Sequence, residues 1–297
     1  MKQNSIFIGL SALTVCVGLL SGCSAEDTDV QRIADNGREI RMTASMQSIT
    51  RTTSSLQDAQ LSQDVTVGVY GVSGGNTISN GDNAGYTADG NGNLTTTGST
   101  MVWPDAGSVT IYAYAPKQES WSYSADKTFT VATDQSTDAG YLSSDLVWAT
   151  ATPASQATVN LGFAHKLSRI QLTVATDAST ALTNATVQIV NTKTSAPFTL
   201  TSGTVDAASG DATAITIGSN ITLSASGSTT LYGILIPQTV EANTTLIRIT
   251  AGDKVWRYYF SADKTFASGG AYSATVTISS SSFSSTIGSE PATSPAN

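Results

Sequence analysis

Val159-Asn160-Leu161-Gly162-Phe163-Ala164-His165-Lys166-Leu167-Ser168-Arg169-Ile170-Gln171-Leu172-Thr173-Val174 decides the class of this 297-residue chain. Two period-2 patterns meet in it. Val159, Leu161 and Phe163 share one strand face. Ile170, Leu172 and Val174 share another, with Arg169, Gln171 and Thr173 opposite. Such alternation marks half-buried β-strands. Between them stands His165, the single histidine of the chain, next to Lys166. General acid–base chemistry needs a partner within hydrogen-bond reach and a pocket. There is no second histidine and no thiol in the mature chain to build a triad or a metal site. The reading is a strand-end histidine that hydrogen-bonds backbone. No catalytic residue, cofactor or metal ligand is assigned.

Toward the N-terminus, Lys2 precedes an apolar run over 6–20. That is the length of a signal h-region and short for a membrane span. It ends in Leu20-Ser21-Gly22-Cys23, a bacterial lipobox. Residues 1–22 therefore read as a lipoprotein signal peptide and Cys23 as the lipidated residue. The other cysteine, Cys16, lies in the removed segment, so no disulfide framework exists. Residues 23–36 read as a tether. Its acidic start, Glu26-Asp27-Thr28-Asp29, resembles the export signal of Bacteroidetes surface lipoproteins.

The formal net charge is −8 and only 12% of residues are charged. With no basic stripe, nucleic acid is excluded as a partner class. Low charge, many Thr, Val, Ile and Tyr, and no long 3.6-residue period indicate an all-β protein.

The first strand falls within 38–49, with Ile40, Met42, Ala44 and Met46 on one face. Ile49-Thr50-Arg51-Thr52-Thr53 follows, and residues 52–116 hold no Lys or Arg. Arg51 is thus an isolated basic target in a Ser/Thr-rich segment. Further strands read at 65–70 and 109–115, the latter stopped by Pro116, and at 145–149. Residues 71–98 are rich in Gly and Asn. Asp89-Gly90-Asn91-Gly92-Asn93 looks like part of a calcium loop but lacks its later ligands, so hairpin turns are expected. The spacing suits β-sandwiches, with a linker near Pro153 dividing an N-terminal domain, 37–152, from a C-terminal one, 153–297. In the latter, strands read at 186–190, 214–223, 229–236, 246–250, 255–260 and 272–278. Ser-Ala-Asp-Lys-Thr-Phe occurs twice, at 124–129 and 261–266. Trp121 with Tyr123, and Trp256 with Tyr258 and Tyr259, could be cross-strand packing or sugar platforms. Beyond Ile278 the chain reads as a flexible polar tail with Phe283 and Ile287 as sparse apolar anchors.

Several of these stretches resemble the fimbrillin family of Bacteroidales surface pilins, the Mfa-like, type V pilus subunits. They are the lipobox, the arginine junction, Val67-Gly68-Val69-Tyr70, Tyr112-Ala113-Tyr114-Ala115-Pro116, Phe163-Ala164-His165, Ile236-Pro237-Gln238 and Gly269-Gly270-Ala271-Tyr272. The resemblance implies two β-sandwich domains of transthyretin-like topology. It also implies a fimbrial subunit, with adhesion as its role. The precursor would sit in the outer membrane through the lipid on Cys23. An arginine-specific protease would cut between Arg51 and Thr52, releasing the strand that carries Ile40, Met42, Ala44 and Met46. Other fimbrial subunits, identical or related, would then fill the groove, the donor being the C-terminal segment with Phe283 and Ile287. The competing reading is a surface-anchored glycan-binding lipoprotein, which would not need a protease site behind the first strand.

Overall fold

A computed structural model describes residues 38–47, 60–154, 156–177 and 181–278, together with the backbone of a strand over 283–289. The described chain is nearly all β. Its first part contains β1 (Met42–Met46), β2 (Thr66–Ser73), β3 (Asn76–Thr77), β4 (Ala84–Ala88), β5 (Leu94–Thr96), β6 (Thr110–Ala115), β7 (Lys127–Thr130), β8 (Val147–Ala151) and β9 (Val159–His165). A short helix, α1 (Asp138–Ser144), precedes β8. Then come β10 (Ser168–Thr176), β11 (Leu182–Ile189), β12 (Lys193–Thr199), β13 (Thr204–Val205), β14 (Ser209–Ala212), β15 (Ile215–Leu223) and β16 (Ser228–Leu235). The last are β17 (Gln238–Val240), β18 (Thr245–Ala251), β19 (Lys254–Tyr259), β20 (Lys264–Phe266), β21 (Ala271–Ile278) and β22 (Phe283–Ser289).

The first sheet has the order β1-β9-β8-β6-β2-β4-β5, with β3 added beside β2. It curls until its two ends meet. Thr43 of β1 bridges Asn93, just before β5, and Glu39 bridges Val102. The inner face is fully apolar: Val67, Val69, Ile111, Ala113, Val147, Val159, Leu161 and Phe163 are buried there with Met101 and Trp103. The outer face of β2 and β6 carries Tyr70, Val72 and Tyr114, which join a second core. That core lies between two four-stranded sheets, β16-β10-β21-β22 and β15-β11-β18-β19. The alternation of β10 is visible in its burial, with Ser168, Ile170, Leu172, Val174 and Thr176 inward.

The strands of clear period lie where the sequence places them. Other features depart from that reading. The boundary after residue 152 assigns Val159–His165 to the second domain, but β9 pairs antiparallel with β8 and parallel with β1, inside the first sheet. Alternation reveals a strand's faces and says nothing of its neighbours. In the turn-rich stretch 71–98 the expected hairpin turn is present at 89–93, joining the antiparallel β4 and β5. The tail is not wholly without structure: β22 pairs antiparallel with β21 from Tyr272↔Ser289 to Ile278↔Phe283. Backbone pairing on an open sheet edge needs no apolar run. Helix α1 is started by Thr137, whose Oγ1 accepts from the Gly140 N–H. The repeated hexapeptide has one local outcome. Each copy ends in a short strand, β7 or β20, with a buried phenylalanine, Phe129 or Phe266.

Candidate functional site

The candidate site is the bed of β1. Its burial alternates along the strand: Ile40, Met42, Ala44 and Met46 are buried, while Arg41, Ser45 and Gln47 are exposed. The four buried side chains are 1%, 5%, 6% and 8% exposed, so each is a full member of the inner core.

Both edges of this segment are paired. On one side it runs parallel to β9, with Met42↔Val159, Ala44↔Leu161 and Met46↔Phe163 in register. The Val159 N–H donates to the Arg41 carbonyl at 2.8 Å, and the Gln47 N–H to the Phe163 carbonyl at 2.7 Å. On the other side the Ile40 N–H donates to the Met101 carbonyl (2.9 Å) and the Ala44 N–H to the Gly92 carbonyl (2.8 Å). The Trp103 N–H returns a bond to the Arg38 carbonyl (2.7 Å), and the Arg38 guanidinium caps the Trp103 carbonyl through Nη2 at 2.6 Å. Arg38 also pairs with the exposed Asp105 at 2.9 Å. On the outer face Thr43 Oγ1 donates to Asn160 Oδ1 at 2.6 Å.

The loop that resembles part of a calcium site is one wall of this bed. Asp89 Oδ1 accepts from the Asn91 and Asn93 N–H groups at 2.7 and 3.0 Å, and Oδ2 from Asn93 Nδ2 at 2.7 Å. These bonds hold its carboxyl below the usual range. The carboxylate is thus spent on its own turn, and no group of three metal-ligating residues occurs among the described residues. The turn aims the Gly92 carbonyl at β1. Gly92 has φ +94, and a Cβ there would stand 3.0 Å from the Ala44 carbonyl oxygen, so both conformation and closeness favour glycine.

Two other candidates, His165 and Trp121, resolve as packing. His165 does not bond backbone through Nδ1 as its strand-end position suggests. That atom lies 2.8 Å from Asp145 Oδ1, with both side chains nearly buried, Asp145 at the C-cap of α1 just before β8 and His165 at the end of β9. Adjacent antiparallel strands bring them together across 20 residues. Trp121 is buried, stacked on Tyr114 with centroids 4.6 Å apart and on Phe198 at 5.6 Å, and it offers no sugar platform. Cys23, Arg51 and Thr52 lie outside the described residues. Phe283 and Ile287 fall in β22, the outermost strand of its sheet. Sequence reading missed Gly92, Asn160, Met101 and Trp103 as parts of the bed. The Asp-Gly-Asn-Gly-Asn turn was the one signal available for Gly92.

Residues 50–290 match a family model described as fimbrillin-like. The match begins past the end of β1. A candidate cell adhesion protein of Bacteroides ovatus has a similar structure, with a TM-score of 0.65 and 20% identity over 84% of this chain and 96% of its own. A second, from Bacteroides uniformis, gives 0.59 and 26% identity over 85% and 99%. A fimbrial protein of Bacteroides vulgatus gives 0.51 and 17% over 85% and 98%. No curated protein matches.

Proposed function

The chain belongs to the fimbrillin-like family, and from that premise we propose that it is a structural subunit of cell-surface fimbriae whose precursor carries β1 as a removable strand. The precursor is a lipoprotein anchored in the outer membrane through Cys23. An arginine-specific protease cuts between Arg51 and Thr52. The strand bearing Ile40, Met42, Ala44 and Met46 then leaves, and a strand from another fimbrial subunit takes its place. The resulting fimbria mediates adhesion.

One observation carries this reading. The strand just before Arg51 is the piece that closes the first sheet, and it fills its core with four side chains. Its departure would bare the inner edge of β9, the carbonyls of Gly92 and Met101, and an apolar furrow. An unpaired buried polar group costs about 1–3 kcal/mol, and another extended strand satisfies both backbone and furrow. The basic residues that could compete with Arg51 include Arg41. Its carbonyl is tied to Val159 within the paired segment, and a protease needs that backbone free.

The test is the N-terminus of the protein in sheared fimbriae, read by mass spectrometry. It should be Thr52. A lipid-bearing Cys23 on the assembled form would overturn the processing step.

A further inference from the structure

The outer face of the sheet β15-β11-β18-β19 sets two arginines side by side. Arg248 of β18 and Arg257 of β19 are direct partners in the antiparallel register. Like charges directly opposite each other weaken a strand pair, so this pairing works against its own hairpin. Arg248 is held in place. Its Nε and Nη2 donate to Gln188 Oε1 at 3.1 and 2.7 Å, and Gln188 Nε2 donates to Thr216 Oγ1 at 3.1 Å. Two of its five N–H groups are thereby used and three remain. Arg257 is exposed and has no hydrogen-bond or ion-pair partner among the described residues.

The neighbourhood is basic in an acidic chain. The formal net charge is −8, yet residues 248–264 hold four of the 14 Lys and Arg, namely Arg248, Lys254, Arg257 and Lys264, against Asp253 and Asp263. Asp263 Oδ1 is engaged by the Ala242 N–H. Asp253 is four residues from Arg257, about 13 Å along an extended chain. Thr216, Gln188, Arg248 and Arg257 form one row across the sheet, and Asp134 bridges Thr216 at its far end. Three strand spacings, about 14 Å, separate that acid from Arg248. This exceeds the screening length of about 8 Å in physiological salt. The same face carries Val255 and Tyr259, 41% and 52% exposed, the exposed large apolar side chains among the described residues. They flank Arg257 two residues to either side, while Trp256 and Tyr258 pack on the second core.

We infer that this face binds an anionic polysaccharide, with sulfate or carboxylate groups held by Arg248 and Arg257 and a sugar ring laid on Tyr259. Guanidinium forks meet such oxyanions in paired hydrogen bonds. Tyrosine adds a rigid amphipathic surface with little entropy to lose. The cavity beside β19 opens on the other face, lined by Tyr258 and Phe260. An acidic peptide would need a pocket for its apolar anchors, whereas a sugar ring needs only a flat one to lie on. The inference names a ligand class for the adhesion proposed above, rests on that part of the proposal, and does not depend on the release of β1.

The test uses uncut full-length precursor carrying Cys23→Ser, at about 0.15 M salt, over surfaces bearing dextran sulfate, polygalacturonate, neutral dextran or poly-glutamate. At least one of the two anionic polysaccharides should be bound, which tells sulfate from carboxylate, and neutral dextran should not. Arg257→Gln should weaken binding about tenfold, the loss of one charged hydrogen-bonded contact. It should unfold no earlier than the wild type, because it relieves the like-charge pair. Tyr259→Ser should weaken binding as well. Lys254→Gln removes the same charge from a position of the parity of Trp256 and Tyr258, and it should stay within about twofold. Equal weakening by Arg257→Gln and Lys254→Gln would overturn the site in favour of diffuse charge. Tighter binding of poly-glutamate would overturn the polysaccharide as occupant. A wild type that binds neither anionic polysaccharide would overturn the inference and leave strand exchange standing.

Discussion

Met42 and Asp89 show how single residues hold the closing strand. Met42 is 5% exposed in the inner core, beside Val159. Met42→Ala in the uncut precursor should cost about 2–5 kcal/mol in urea unfolding. Ser45→Ala, on the exposed face of the same strand, should stay within about 0.5 kcal/mol of the wild type. Asp89 acts on the other edge, through the turn that presents the Gly92 carbonyl to Ala44. The side-chain amide of Asn93 and the N–H groups of Asn91 and Asn93 hold its carboxyl below the usual range. A lowered folded-state pKa means the stabilisation is present above the ordinary carboxyl pKa, about 4. It is lost as pH falls through the lowered value. The stability difference between wild type and Asp89→Ala should thus be constant above about pH 4 and shrink below it. A difference that grows on acidification would mean that the carboxylate is not what orders the turn.

At the scale of elements, legibility followed periodicity. β1, β2, β6, β10, β15, β16 and β21 are apolar at every second position or nearly so, and their faces could be read directly. Partners could not. β9 shows the same alternation as β10, yet it lies in the first sheet beside β1 and β8. The short strands β7, β17 and β20 pair through backbone and carry too few residues for a period, whereas β12 alternates in burial but turns only one large apolar side chain, Phe198, inward beside Thr194 and Ala196. The Asp145–His165 pair arises because β8 and β9 are neighbours, which spacing along the chain does not reveal. The β1 bed was half legible: the strand's apolar face stood out, while Gly92, Met101 and Asn160 on its edges did not. β22 illustrates the opposite case, a serine-rich strand carried by an open edge. Because β22 occupies only an outer position, truncation after Ile278 should leave the thermal unfolding of the remaining sheets cooperative, as circular dichroism would show. Loss of the folded signal on truncation would contradict its role as an addition to a finished sheet.

For the whole molecule, the acidic, low-charge composition and the two apolar cores describe a body held by burial rather than by ion pairs. Arg38–Asp105, at the mouth of the β1 bed, is exposed and worth about 0–1 kcal/mol. Release of β1 should make this body assembly-competent. The most direct measurement is the growth of filaments from purified full-length precursor on treatment with an arginine-specific protease, followed by light scattering and electron microscopy. An Arg51→Ala variant that still holds Arg38 and Arg41 runs alongside. Growth is expected from the cut wild type and a persistent monomer from Arg51→Ala. Filaments forming equally well from Arg51→Ala would contradict it.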